Sequence, residues 1–231
     1  MTRNKILLTG FFLSFLLIMI FIKEDLILVS TPEAPKGNEV PNSQNQEHKF
    51  LALTFDDGPN PVYTPLLLDG LAKRGVKASF FLIGDNIDDN KEIVKRMASE
   101  GHLIGNHTAT HIMLTSKSKE EACREIEKTN QKIYEVTGKK PTYIRPPFGS
   151  WSENLECLIP MNVILWDIDP LDWKVKNKNK VVRHVVKHAK NGDIILLHDS
   201  YKTSVEAALE IIDTLSKEGY TFVTADELLI D

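Results

Sequence analysis

Five short stretches of the 231-residue chain carry residue types that can move protons or hold a cation. Thr54-Phe55-Asp56-Asp57-Gly58-Pro59 puts two adjacent carboxylates behind an apolar run and ahead of a Gly-Pro turn. A capping Asp and a turn Asp before a helix would explain them structurally. Chemically, one of such a pair can bind a metal while the other stays free as a base. Gly105-Asn106-His107-Thr108-Ala109-Thr110-His111 sets two imidazoles at i and i+4, which on a helical turn share one side and reach one ion. The spacing matches the HExxH motif of zinc proteases, but the glutamate is missing, since Thr108 follows His107. Two unrelated surface or core histidines are the plain alternative, and His48, His102, His184 and His188 lie outside any cluster.

The remaining three stretches add a cation, more carboxylates and a third imidazole. In Ile144-Arg145-Pro146-Pro147-Phe148-Gly149 an arginine precedes two prolines, whose rings hold φ near −65° and stiffen the turn. Arginine there can orient a carboxylate bidentately, and a fixed turn can aim backbone N–H groups inward; a surface Arg beside a rigid turn is the alternative. Asp167-Ile168-Asp169-Pro170-Leu171-Asp172-Trp173 holds three carboxylates that repel unless they are spread by a turn or paired with cations. Ile194-Ile195-Leu196-Leu197-His198-Asp199 is an apolar run that ends in histidine.

Each stretch sits where an apolar run ends. Candidate strands are Phe50–Phe55, Ala78–Ile83, His102–Gly105, Thr142–Ile144, Val163–Asp167, Asp193–Leu197 and Thr221–Val223. Between them lie helical patterns over Pro61–Arg74, Lys91–Glu100, Lys119–Thr137, Asn177–Lys190 and Val205–Glu218, with Gly75, Gly101, Gly138, Gly192 and Gly219 placed as C-terminal caps. Alternating strands and helices predict a largely parallel α/β sheet of seven strands, either open and doubly wound or closed as a barrel. In such architectures the C-terminal strand ends converge on one face and carry the site.

The N-terminus differs in kind. Ile6–Ile22 is uncharged, follows Arg3 and Lys5, and precedes Lys23, Glu24 and Asp25. It is near the lower length limit for crossing a bilayer, and the flanking charges predict a cytoplasmic N-terminus. No Ala-x-Ala-like site stands just after it, so residues 1–29 are expected to be an uncleaved signal anchor, with cleavage and secretion as the alternative. Residues 30–48, rich in Pro, Asn, Gln and Glu, are expected to be a flexible stalk, and residues 49–231 the folded domain. The domain is then extracytoplasmic, on a single-pass cell-membrane anchor.

Composition narrows the remaining classes. With 42% hydrophobic and 26% charged residues the chain is globular, and Lys+Arg 28 against Asp+Glu 32 removes the electrostatic case for nucleic acid as partner. Cys123 and Cys157 can make at most one bridge, with two buried thiols as the other reading. No cysteine nucleophile or phosphate-binding glycine loop stands out, which disfavours covalent catalysis and nucleotide chemistry.

The ordered set TFDDGP, HTATH, RPPFG, DPLDW and LLH resembles the polysaccharide deacetylases of carbohydrate esterase family 4, the NodB-like domain, across residues 49–231. The resemblance implies a distorted (β/α) barrel, with fewer strands than a TIM barrel, and metal-dependent removal of N-acetyl groups from sugars. It implies Asp57, His107 and His111 as metal ligands, Asp56 as the base, Arg145 holding Asp56, and His198 as the acid tuned by Asp172. Trp173 and Leu196 would line an acetyl pocket, and the backbone N–H of Phe148 would help bind the oxyanion. The family often has tyrosine where Phe148 stands, but the backbone makes that bond.

The chemistry is coherent on its own terms. Amide hydrolysis needs an activated water, a stabilised oxyanion and a proton for the leaving amine. Two imidazoles and a carboxylate suit zinc, with cobalt or nickel fitting the same donors. An Asp–Arg pair keeps a base ionised and an Asp–His pair keeps an acid protonated. The expected substrate is an N-acetylglucosamine polymer of the cell surface, peptidoglycan above all; chitooligosaccharide, exopolysaccharide and acetylxylan are the alternatives. An inactive glycan-binding module would not need both an acid and a base. A glycosidase would use two carboxylates and no metal.

Overall fold

The computed structural model describes residues 48–152 and 160–229. The apolar run at residues 6–22, most of the expected stalk, and Cys157 lie outside them. Cys123 is disulfide-bonded. Among the described residues no helix is long and apolar enough to cross a membrane.

Among the described residues seven strands form, six of them on the expected spans: β1 (Lys49–Gly58), β2 (Ser79–Leu82), β3 (Leu103–Asn106), β4 (Tyr143–Ile144), β5 (Asn162–Val163), β6 (Ile194–His198) and β7 (Tyr220–Val223). Every pairing between them is parallel. The order is β5-β4-β3-β2-β1-β6, with β7 against the first half of β1. Beyond β5 the chain reaches β6 through a single bridge, Ile168 to Ile195, so the two edges of the sheet meet and the strands form a distorted ring. The expected strand Val163–Asp167 is thus corrected: the regular strand is Asn162–Val163, and of the expected span only Val163 belongs to it. Its end bends across the gap, with Asp167 N donating to Ile194 O (2.9 Å).

Among the described residues seven α-helices accompany the strands: α1 (Tyr63–Arg74), α2 (Gly84–Ile87), α3 (Lys91–Ser99), α4 (Lys119–Thr137), α5 (Asp172–Val175), α6 (Lys178–His188) and α7 (Lys202–Lys217). The five long ones match the helical patterns to within a few residues, while the single-turn α2 and α5 are too short for periodicity to register. Helix α4 starts on a full capping box, Ser118 with Glu121. Gly192 does not cap α6: the helix stops at His188, and Gly192 (φ 89°) turns the chain towards β6.

Strands β1, β2 and β6 are buried on both faces, and their period-2 alternation sorts residues into two environments. Leu51, Leu53 and Phe55 of β1, Phe80 and Leu82 of β2, and Ile195 and Leu197 of β6 join the main apolar core with α1, α3, α6 and α7. The intervening positions turn the other way. Ala52, Phe81 and Ile194 form a small second core, and Thr54 and Asp56 are buried on that same side. Register then aligns the strand ends: Asp56 is opposite His198, Leu82 opposite Asn106, and Asn106 opposite Ile144. The residues that follow these positions emerge side by side on one face.

Candidate active site

Strand β1 carries both carboxylates to this face by breaking its own alternation. Adjacent strand residues normally point to opposite sides, but the register with β2 shifts between Asp56 and Gly58, and Asp57 takes a left-handed conformation (φ 70°). The bulge turns Asp57 towards the site that Asp56 already faces. Asn86 Nδ2 of α2 donates to Asp57 O (2.9 Å) and ties the bulge down. The carboxylates thus stand inside the strand end rather than in a turn beyond it. Gly58 follows where no side chain fits, since a Cβ there would lie 2.6 Å from Asp199 Oδ2.

His107 and His111 do meet, with ring centroids 5.0 Å apart, but not on the helical turn expected for them. Residues 107–113 are irregular, and both Thr108 (φ 64°) and His111 (φ 57°) are left-handed. The loop is fastened from several directions instead. Asn106 Oδ1 accepts from Thr108 N (2.7 Å), while Asn106 Nδ2 donates to Ile126 O and Asn130 Oδ1 on α4. Gly84 N and Asp85 N donate to Thr108 O and Ala109 O, each at 2.9 Å. Thr110 donates through N and Oγ1 to Glu125 Oε2. The fixed bonds hold the strained backbone that tertiary packing imposes.

Asp57, His107 and His111 present ligand atoms within 4.8 Å of one another. His107 Nε2 and His111 Nε2 lie 3.4 and 3.3 Å from the same atom, Asp57 Oδ1, which is buried and makes no hydrogen bond. His107 Nδ1 sits 2.6 Å from Arg145 O. A carbonyl only accepts, so the proton belongs on Nδ1 and the Nε2 lone pair points at the Asp57 oxygen. A lone pair facing an orphaned carboxylate oxygen is an arrangement that a shared cation resolves, and a backbone carbonyl behind a ligating histidine is the usual means of fixing its tautomer. Burial lowers the pKa of His111, against the opposing charge of Asp57, and so favours the neutral, ligating imidazole. The residues present fit a divalent cation.

Two further pairs flank the cluster. Arg145 is fully buried and donates through Nη1 to Asp56 Oδ1 (2.9 Å) and Thr54 Oγ1 (2.6 Å). Its Nε and Nη2 donate to Ile164 O and Leu165 O, and its guanidinium packs over the Phe81 ring at 4.3 Å. Asp56 Oδ2 lies 3.8 Å from His107 Nε2. On the other pair, His198 Nδ1 meets Asp172 Oδ1 at 2.8 Å, and His198 N donates to Asp172 Oδ2 (2.9 Å). That leaves His198 Nε2 directed at the site, 3.9 Å from Asp57 Oδ2. Burial works against the charged imidazole, but the Asp172 hydrogen bond and the charges of Asp172, Asp56 and Asp57 outweigh it and raise His198 to about 9.

A cavity of about 400 Å³ opens over these groups, lined also by Phe148, Trp173 and Leu196. Phe148 is left-handed (φ 61°) and 64% exposed, with its ring edge-on to His111 at 4.9 Å. Gly149 behind it also needs positive φ (65°), and a Cβ there would press to 3.0 Å on the Trp166 ring. All ten residues singled out from the sequence thus gather at one site. Sequence reasoning gave no role to Thr54, Asn86, Asn106, Trp166, Asp169, Leu171 or Tyr201. The first three position the carboxylates and the loop, and the last four line the cavity. Thr54, Asn106, Asp169 and Leu171 lie inside the five motif stretches and Trp166 directly precedes one; Asn86 and Tyr201 carry no local signal. A wider surface cleft of about 570 Å³, between the ends of α3 and α4, contains none of the ten.

Fold and site together define a parallel α/β protein with a three-donor cation site set between an Asp–Arg and a His–Asp pair. The chain belongs to the polysaccharide deacetylase family, whose sequence profile matches residues 43–159. It is 43% identical over 194 residues to the peptidoglycan-N-acetylmuramic acid deacetylase PdaC of Bacillus subtilis, covering 84% of this chain and 41% of that protein. It is 40% identical over 199 residues to a peptidoglycan-N-acetylglucosamine deacetylase of Bacillus cereus, covering 83% of this chain and 91% of that one. The solved structure of Bacillus subtilis PdaC superposes with a TM-score of 0.77 at 43% identity, over 79% of this chain and 90% of that chain. The chain spans about two-fifths of PdaC's own length.

Proposed function

We propose that the protein hydrolyses N-acetyl groups from N-acetylglucosamine units of a cell-surface polysaccharide, with peptidoglycan as the favoured polymer. The observation that carries this reading is the convergence of two more titratable groups on one cation site: Asp56 Oδ2 lies 3.8 Å from His107 Nε2, and His198 Nε2 lies 3.9 Å from Asp57 Oδ2. Relatives named for peptidoglycan deacetylation support the choice of polymer.

A divalent cation held by Asp57, His107 and His111 would polarise the acetamide carbonyl and lower the pKa of a neighbouring water. Zinc suits two imidazoles and a carboxylate, and cobalt or nickel satisfies the same donors. Asp56, its Oδ1 held by Arg145, keeps Oδ2 free to accept the proton of the attacking water. The Phe148 N–H would donate to the developing oxyanion. His198 enters each turnover protonated, because Asp172 holds it so, and gives its proton to the departing amine. Trp173 and Leu196 would enclose the acetyl methyl. Arg145 and Asp172 act through Asp56 and His198 and are positioning residues.

The apolar run 6–22 and the polar segment after it support a membrane-anchored, extracytoplasmic domain on a stalk at residues 30–48, with secretion after cleavage as the alternative. The deciding experiment measures acetate released from purified peptidoglycan, chitooligosaccharides and acetylxylan side by side, before and after chelation. Release from peptidoglycan that stops on chelation and returns with Zn²⁺ or Co²⁺ is expected. Chelator-insensitive turnover would falsify the metal mechanism, and release from acetylxylan alone would move the substrate to an O-acetyl ester.

A further inference from the structure

The mouth of the cavity continues into a segment of one charge sign. Seven of the chain's 28 Lys and Arg, and none of its 32 Asp and Glu, fall between Lys174 and Lys190, so the remainder carries a formal charge of −11. The segment begins at the site itself. Lys174 and Lys176 follow Trp173, a wall of the cavity, and Lys176 Nζ lies 4.6 Å over the ring of Tyr201, another wall. It then runs down α6, an 11-residue helix about 16 Å long. On that helix Val181, Val182 and Val185 are buried, while Lys180, Arg183, His184 and Lys187 form the opposite, exposed face at i, i+3, i+4 and i+7.

The charges on this face are uncompensated. Lys178, on the side towards α7, pairs with Glu210 at 2.6 Å. Among the described residues no carboxylate lies within 4 Å of Lys174, Lys176, Lys180, Arg183, Lys187 or Lys190. Unpaired like charges repel one another and are stabilised by an anionic partner. A membrane is a poor occupant, since the apolar face of α6 is spent on the core and offers nothing to insert.

We propose that the face of Lys174–Lys190 is an exosite for the substrate strand, and that the strand carries negative groups next to the sugar being deacetylated. The inference rests on the deacetylase reading and narrows its substrate to an anionic glycan. The exosite draws such a strand to the cavity mouth and adds nothing for a neutral oligosaccharide. It also favours release of product, because each deacetylated sugar bears an ammonium group that the lysines repel.

The test uses the metal-loaded protein and the triple variant Lys180→Glu, Arg183→Glu, Lys187→Glu, whose positions are exposed and away from the cavity. Acetate release is measured on carboxylate-bearing peptidoglycan strands and on neutral chitooligosaccharides across a range of salt concentration. On the anionic strands the variant's KM should rise roughly tenfold or more. Wild-type KM should climb with salt while the variant's stays flatter, and kcat/KM on the neutral substrate should hold within about twofold. An equal KM change on both substrates, or none on the anionic strands, overturns the exosite. So does unchanged KM together with lost binding to phosphatidylglycerol vesicles, which would make the face a membrane contact. If wild type releases no acetate from either substrate, the deacetylase reading fails. Salt-sensitive cosedimentation with insoluble peptidoglycan, lost in the variant, then still decides for or against the exosite.

Discussion

Two pairs of histidines in this chain share the i, i+4 spacing, and they come to different ends. His184 and His188 sit on a regular helix with ring centroids 4.6 Å apart, closer than the 5.0 Å between His107 and His111. Yet they are exposed, His188 Nδ1 bonds to His184 O within the same turn, and they belong to no three-donor cluster among the described residues. His107 and His111 lie on a backbone that is not helical at all. What separates the pairs is their surroundings: burial, a carboxylate from another strand, and a carbonyl that sets the His107 tautomer. Spacing brings two rings together. Only tertiary structure supplies the third donor.

The sharpest way to break this contrast is to remove the histidines in turn. His107→Ala or His111→Ala should abolish stoichiometric metal and cut activity by more than about 100-fold, beyond the usual effect of outer-shell partners. His184→Ala and His188→Ala should leave both unchanged. Metal analysis of the four purified variants decides it, and equal metal loss in both pairs would mean that spacing alone does the binding.

Surroundings also predict that the two adjacent aspartates are not equivalent. Asp56→Asn should keep the metal while acetate release drops by roughly 10²–10⁴-fold, the range for a general base. The variant should be less stable by a few kcal/mol, since Arg145 is buried and loses its charged partner. Metal content falling together with activity in folded protein would reassign Asp56 as a ligand.

A smaller effect is expected at the His–Asp pair. His198 must be protonated to serve as acid, so activity should fall as pH rises through its pKa of about 9. Asp172→Asn removes the partner that raises that pKa, so the decline should begin at lower pH, with roughly 10–100-fold lost activity. A kcat profile with the same alkaline limb in variant and wild type would remove His198 from that role.

The smallest effect concerns stability alone. Burial raises the carboxyl of Asp199 to about 7, against the hydrogen bond from Thr64 and with the charge of Asp57 adding to the rise. The folded state then holds a proton that the unfolded chain has released, so this group's contribution is full below the ordinary aspartate value and is lost as pH rises towards 7. Asp199→Asn should flatten that slope in urea titrations of chelated protein between pH 4 and 7; an unchanged slope would place the linkage elsewhere.

The fold was legible because strand ends and helix faces are local properties. The apolar runs Leu51–Phe55 and Ile194–Leu197, the capping box at Ser118 and the glycines at 75 and 138 each depend on neighbours a few residues away. So was the membership of the site, because each stretch stands at the end of an apolar run. Less legible was anything that depends on distant chain. Asn86 and Tyr201 reach the site from elements with no chemical motif, and the helical turn expected at His107 gives way to a loop held by α2 and α4.

By itself, then, the sequence determined which residue types arrive at the C-terminal strand ends, and in what order along the chain. Tertiary structure alone decided that Asp57 rotates through a bulge to join Asp56, and that one carbonyl of Arg145 orients His107 while its guanidinium holds Asp56. It also decided that the sheet closes at Ile168–Ile195. The physical reason is that positive φ, register and tautomer are costs set against contacts far away in sequence, and no local pattern records those contacts.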